Sequence, residues 1–157
     1  MKALLKQIGF GTLAISISAT ALAQMSVQDQ IKNRQSAYQF AAWNMGKIKA
    51  QVVDGSVPYS QAQIEAAANA IAAVANSGMG ALYGPGTDKG TGWKATRLKP
   101  EFFREQDKVG EVARRFINEA NALQTVAASG DRAAIASQFG AVGQACKACH
   151  DSYRAPE

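Results

Sequence analysis

The sequence predicts an all-α fold, an antiparallel up-down-up-down four-helix bundle. Three observations carry that expectation. Apolar residues recur at three- and four-residue steps in four separate stretches, the period of a helix with one buried face. Each stretch opens at a serine, an aspartate or a proline suited to a helix start, and the first three close at a glycine. Nowhere does alternation of apolar and polar residues mark a strand. The chain has 157 residues, 47% of them hydrophobic, which suffices for one domain with a real core.

Residues 1–23 read differently from the rest. Lys2 and Lys6 form a basic start, Ile8 to Leu22 an apolar stretch, and Ala21-Leu22-Ala23 a small-x-small cleavage site. This is the pattern of a secretory signal peptide, cut before Gln24. A membrane anchor is the rival reading. Gly9, Gly11 and Thr12 interrupt the stretch, as do Ser16, Ser18 and Thr20, which leaves it short and polar for a span. The expectation is a mature domain of residues 24–157, exported to the periplasm and off the membrane after cleavage. Lys2 and Lys6 leave with the peptide, so 15 of the 17 basic residues remain against 12 acidic ones, a net charge near +3. That charge is mild and scattered. No basic stripe with interleaved aromatics suggests nucleic-acid binding.

The first helix should start at Ser26, with Asp29 three residues on, and run to about Val53 before Asp54-Gly55. Ile31, Tyr38, Met45 and Val52 step by seven along it, with Arg34 and Ala41 or Ala42 between. Pro58-Tyr59 ends the first loop, and Ser60-Gln61-Ala62-Gln63 is a capping box for the second helix. Ile64, Ala67, Ile71 and Val74 form its buried stripe. Residues 78–99 read as a long loop, because Gly78, Gly80, Gly84-Pro85-Gly86, Gly90 and Gly92 oppose a stable helix. Loops of this length are functional or tied down, and Met79, Leu82, Tyr83 and Trp93 are the candidates to pin it. Its glycines fit no phosphate-binding pattern.

Pro100-Glu101 opens the third helix, with proline at the first helical position. Val109, Val112, Phe116, Leu123 and Ala127 repeat along it, and Ser129-Gly130 closes it. Asp131 caps the fourth helix. There Ile135, Phe139, Val142, Cys146, Cys149 and Tyr153 step by fours and threes. Phe40, Trp43 and Met45 give the first helix more apolar surface than one face needs. That points to a second buried contact such as a homodimer interface, with loop packing as the alternative.

Both cysteines and the single histidine lie within Cys146-Lys147-Ala148-Cys149-His150. Cys-x-x-Cys-His is the attachment pattern of a c-type haem. The two thiols add across the haem vinyl groups as thioethers, and the adjacent imidazole reaches the iron. On a helix the three residues stand at i, i+3 and i+4 and leave one face. Because the cysteines continue the buried stripe, the haem is expected inside the bundle. A thioredoxin-like dithiol would want a βαβ context. Structural zinc needs about four ligands, and the chain has no further Cys or His. A disulfide across three helical residues is awkward, though an even cysteine count in an exported protein keeps it open.

With this motif near the end of a fourth helix, the chain resembles cytochrome c′, itself a standard example of the four-helix architecture. The matching pieces are Arg34-Gln35-Ser36-Ala37-Tyr38, Tyr83-Gly84-Pro85-Gly86-Thr87, Phe139-Gly140 with Val142-Gly143, and the run from Cys146 to Asp151 with Tyr153-Arg154. The resemblance covers nearly all of the mature chain. It implies a periplasmic homodimer, joined through the region of the first two helices, with one five-coordinate, high-spin haem c per chain. His150 would be the proximal iron ligand. Arg34 and Gln35 would lie by the haem propionates, Tyr38 over the open iron face, and Arg154 beside the proximal histidine.

The residues themselves agree. Arg34 and Tyr38 are i and i+4 on one helix face, an arginine fork suits a carboxylate, and a phenol of ordinary pKa about 10 is a poor ligand at neutral pH. Low-spin relatives carry a ligating methionine where this chain has Tyr38. Simpler readings stand beside these. Met45 and Met79 suit core packing, Arg34 a solvated charge, Tyr38 ordinary core, and Arg154 a solvated cation near a helix C-terminus. The expected function is binding of small gases, chiefly NO and CO, in NO handling or protection. The alternative is electron transfer between Fe(II) and Fe(III) with an unidentified redox partner. An enzyme such as a peroxidase needs a positioned acid–base group on the distal side. The predicted distal stripe carries none, so no enzyme is expected.

Overall fold

Helix ends fall where the capping residues stand. The structure, a computed structural model, describes residues 25–156, and the expected signal peptide and its cleavage site lie outside the described residues. Helix α1 spans Val27–Val52, α2 Gln61–Ala75, the one-turn α3 Glu101–Arg104, α4 Gln106–Ser129 and α5 Arg132–Tyr153. Ser26 Oγ accepts from Asp29 N at 3.1 Å, Ser60 Oγ from Gln63 N at 3.4 Å, and Asp131 Oδ1 from Ala133 N and Ala134 N at 2.9 and 3.1 Å. Each satisfies amides that a helix start leaves open. Gly130 stops α4 in the left-handed region at φ 73°, where a Cβ would be strained.

The long helices touch in a cycle, α1 to α2, α2 to α4, α4 to α5 and α5 back to α1. The short α1–α2 and α4–α5 connections make those pairs antiparallel neighbours. The main core takes Ile48 from α1, Ile64 and Ile71 from α2, Leu123 from α4, and Ile135 and Val142 from α5, all 0% exposed. Burying each such side chain is worth about 1.5–3 kcal/mol. A smaller cluster of Phe102, Val109 and Tyr153 sits beside it.

Two expectations change in detail. The third helix does not run on from Pro100. It makes one turn, breaks at Glu105 (φ −114°, ψ 46°) and restarts at Gln106. The break lets Phe102 turn into the smaller cluster and leaves the Glu105 carboxylate to accept from Tyr153 Oη at 3.0 Å. On α1, Ile31 and Ala41 are buried as expected, but Tyr38 is 37% exposed and Met45 only half-buried. A strict seven-residue step drifts across the surface of a straight helix. The true inner face keeps Arg34, which the stripe included, and adds Gln30, Asn44 and Gln51 to the isoleucines.

Those polar residues hold the long loop and the α1–α2 turn. Gln51 Oε1 accepts from Ser60 N at 2.7 Å. Gln30 Oε1 accepts from Gly84 N at 2.9 Å. Arg34 donates to Leu82 O, Thr87 O and Thr96 Oγ1 at 3.0 Å each and to Thr87 Oγ1 at 3.3 Å. Gln35 accepts from Trp93 N at 2.8 Å and Lys94 N at 3.2 Å, and donates to Lys94 O at 2.9 Å. The loop is thus pinned by polar groups of α1. Trp93, one expected apolar anchor, is 67% exposed and attaches through its indole N–H to Ser36 Oγ at 2.8 Å. A Cβ on Gly92 would lie 2.8 Å from the Lys32 backbone nitrogen, so the loop backbone rests directly on α1.

Arg34→Met keeps the stem and removes the donors, which leaves the part-buried carbonyl of Leu82 without this partner and that of Thr87 with the Thr96 hydroxyl in place of two donors. It should destabilise the protein by about 2–3 kcal/mol and expose residues 84–97 to protease before the bundle melts. Asp131→Ala should cost about 1 kcal/mol with no change in loop cleavage. Thermal unfolding and limited proteolysis of the two variants check both outcomes.

Candidate functional site

The last two turns of α5 carry Cys146, Cys149 and His150, and their end of the helix is held on several sides. Lys99 Nζ donates to the free carbonyls of Asp151 and Ser152 at 3.0 and 3.2 Å, a cation satisfying orphan acceptors at a helix C-terminus. Leu98 and Arg154 form an antiparallel bridge. Lys99 N donates to Tyr153 O at 2.9 Å and Ala155 N to Arg97 O at 2.8 Å. Arg97 Nε donates to Ala155 O at 2.8 Å. Lys147 pairs with Asp151 one turn along the exposed side.

Both cysteines are free and half-buried, so the disulfide left open by the sequence is not formed. Burial pushes both thiols up from their ordinary pKa, which keeps them as thiols. Cys146 packs against the main core and Cys149 against the smaller cluster. The sulfurs therefore straddle the junction of the two. His150 is exposed at the helix end. Lost hydration around its ring, then the charges of Arg154 and Arg97, lower the imidazole pKa against the opposing pull of Asp151. A neutral imidazole is the form that offers a lone pair to a metal.

Across from α5, aromatic side chains form a connected wall. Tyr83 Oη donates to Tyr38 Oη at 3.4 Å. The Tyr83 ring stacks on Phe102 at 4.4 Å, and Phe102 meets Tyr153 edge-on at 5.8 Å. Tyr38 lies 6.5 Å from Phe116 of α4. Desolvation raises the Tyr38 phenol, the hydrogen bond from Tyr83 opposes this, and both cysteines contribute to the rise. Tyr38 on α1 thus sits within electrostatic reach of the thiols, and its phenol stays neutral.

The site brings together Cys146, Cys149, His150 and Tyr38. Arg154 is exposed one turn beyond His150. Arg34 and Gln35 spend their polar groups on the loop, and the Arg34 guanidinium also lies 4.4 Å from the Tyr83 ring centroid. They position the wall of the site through the loop, a role that the sequence reading did not assign. Tyr83, Phe102, Glu105 and Arg97 are further residues of the site. Tyr83 was expected only to pin the loop, which its stack on Phe102 does, and stood inside a motif of the resemblance with no role at the site. The other three gave no signal, because no helical period links that part of the chain to α5.

Among the described residues no group of three or more His, Cys, Asp and Glu is placed to hold a bare metal ion. The donors fit a metal complex that brings most of its own ligands. A flat apolar macrocycle with carboxylates at its rim needs apolar walls, two thiols one turn apart, one neutral imidazole and cations at the edge. The site meets the demands of haem: Tyr83, Phe102 and Phe116 are aromatic rings that could line it, and Arg97 and Arg154 are cations near His150.

Comparison with known proteins agrees. The family model described as Cytochrome C′ matches residues 29–154. The chain is 53% identical to a cytochrome c′ of Allochromatium vinosum over 99% of both sequences. It is 55% identical to one of Rhodocyclus tenuis over 81% of this chain and 94% of the relative. Its structure resembles a cytochrome c′ described as having an unusual ligand-controlled dimer dissociation, with TM-score 0.80 and 56% identity over 85% of this chain and 100% of the other. It also resembles a ferrous variant of the Alcaligenes xylosoxidans protein with NO bound, with TM-score 0.74 and 30% identity over 84% of this chain and 98% of the other. The chain therefore belongs to the cytochrome c′ family, and haem c, attached covalently, is its cofactor.

Proposed function

We propose that the protein is a periplasmic haem c protein whose iron is held by His150 on one side and left open to NO and CO on the other, behind Tyr38. Bound haem supplies an iron able to take a diatomic gas; the chain holds the group and governs access to it. Cys146 and Cys149 anchor it through thioethers. The carrying observation is Tyr38 on α1, a phenol that burial keeps neutral and that lies within electrostatic reach of both thiols, where low-spin relatives have a ligating methionine. A neutral phenol is a poor ligand and leaves the sixth position free. The rest of the chain supports this. His150 is the only histidine, and Met45 packs against the main core. Met25 Sδ accepts from Asn33 Nδ2 at 3.3 Å.

NO and CO need little help from hydrogen-bond donors, whereas bound O₂ depends on them. With no distal imidazole, the site favours NO and CO, and its role is gas binding in NO handling, without enzymatic turnover. Phe40 and Trp43 support a homodimer through α1 and α2. They are 49% and 59% exposed, lie 5.7 Å apart, and form a patch suited to a second copy. The relative with ligand-controlled dimer dissociation is a precedent for coupling, since Tyr38 lies on the same helix as this patch.

The test is an optical spectrum of the exported protein, ferric and dithionite-reduced, before and after CO or NO. A high-spin spectrum that shifts with gas is expected. A low-spin spectrum that ignores gas would overturn the reading in favour of electron transfer. Tyr38→Ala should speed CO association roughly tenfold, the effect of about 1.4 kcal/mol on a barrier; an unchanged rate removes Tyr38 from the open face. The Cys146→Ala/Cys149→Ala variant should lose its haem to acidified acetone, while His150→Ala keeps it.

A further inference from the structure

We propose that Tyr83 of the long loop is a positioning residue for gas binding: its hydroxyl holds the Tyr38 phenol over the open face, so that the loop sets how readily a gas reaches the iron. This rests on the gas-binding reading above and deepens it.

Tyr83 follows directly on the 3₁₀ turn Met79–Leu82. Its ring has few ways to move. Phe102 stacks on it at 4.4 Å with an interplanar angle of 16°, and the Arg34 guanidinium lies 4.4 Å from its centroid. Arg34 is fixed in turn by its bonds to Leu82, Thr87 and Thr96. Tyr38 is less constrained. It is 37% exposed, and Phe116 touches it only at 6.5 Å and a tilted angle. Of the two phenols, Tyr83 is the fixed post and Tyr38 the movable one.

The bond between them spans 3.4 Å, long for a hydroxyl pair. It is a weak restraint, and a weak restraint suits a side chain that must yield to a ligand. Its direction also counts. Tyr83 donates, so the bond is made to the Tyr38 oxygen itself, at the tip of the side chain. One hydroxyl thereby keeps Tyr38 in place, while burial keeps its phenol neutral.

Tyr83→Phe deletes that hydroxyl and keeps the ring, the stack and the cation contact. In the ferrous holoprotein it should speed CO association about two- to tenfold, the factor carried by one ordinary hydrogen bond. In a Tyr38→Ala background the same change should have no effect. Hydrogen exchange of residues 78–99 in the ferric protein should match the parent, which shows the loop undisturbed. Three results overturn the proposal: an unchanged or slower rate in Tyr83→Phe, an acceleration that persists without Tyr38, or an acceleration accompanied by faster loop exchange. If Tyr38→Ala accelerates binding while Tyr83→Phe does not, the proposal falls and the gas-binding reading stands. If Tyr38→Ala also leaves the rate unchanged, the placement of Tyr38 falls and the proposal with it.

Discussion

A buried guanidinium holds together the part of this protein that has no helix of its own. Arg34 is 6% exposed and every acceptor it meets is a neutral oxygen. Burial pushes its pKa down from the usual arginine range, against the pull of Tyr83 and Tyr38. Burying a charge is costly unless its donors are filled. A loop crossing a bundle carries the opposite difficulty, since its carbonyls need donors that no ladder supplies. Arg34 settles both at once. From that arrangement follow the place of Thr87, the orientation of Tyr83 and the wall facing the cysteines.

The site draws on both apolar clusters. Cys146 belongs to the main core and Cys149 to the smaller one, so a group bonded to both sulfurs spans the two. A covalently attached group stays on the unfolded chain, so it stabilises the fold through the contacts it gains on folding, and these would extend to the cluster built by the α3 turn. The α5 end is secured by Lys99, Arg97 and Glu105, which all come from the segment joining the long loop to α4.

What the sequence made readable was local. Ser26, Ser60 and Asp131 mark true helix starts, Gly130 a true stop, and the cysteine–histidine run declares its chemistry by spacing alone. What stayed hidden depends on partners distant along the chain. Nothing near Glu105 announces a break, for neither glycine nor proline stands there; the burial of Phe102 imposes it. Arg34 stood on the seven-residue stripe of α1 and is buried there, but Gln30 beside it gave no such sign, and both are buried because a loop some fifty residues onward needs them. Trp93 was expected to anchor that loop by its bulk. The ring of Tyr83 does anchor it, on Phe102, but amides and a guanidinium do the rest, and the indole lies outside with its N–H on Ser36.

The contact at Gly92 has a mechanical side. Where backbone rests on backbone, no side chain stands between to bend or change rotamer. Helix α1 is a stiff rod that touches the loop in this way near Lys32 and presents Phe40 and Trp43 to the outside two to three turns further along. The outer patch and the loop are thus carried by one helix, and a displacement of that helix would be felt at both.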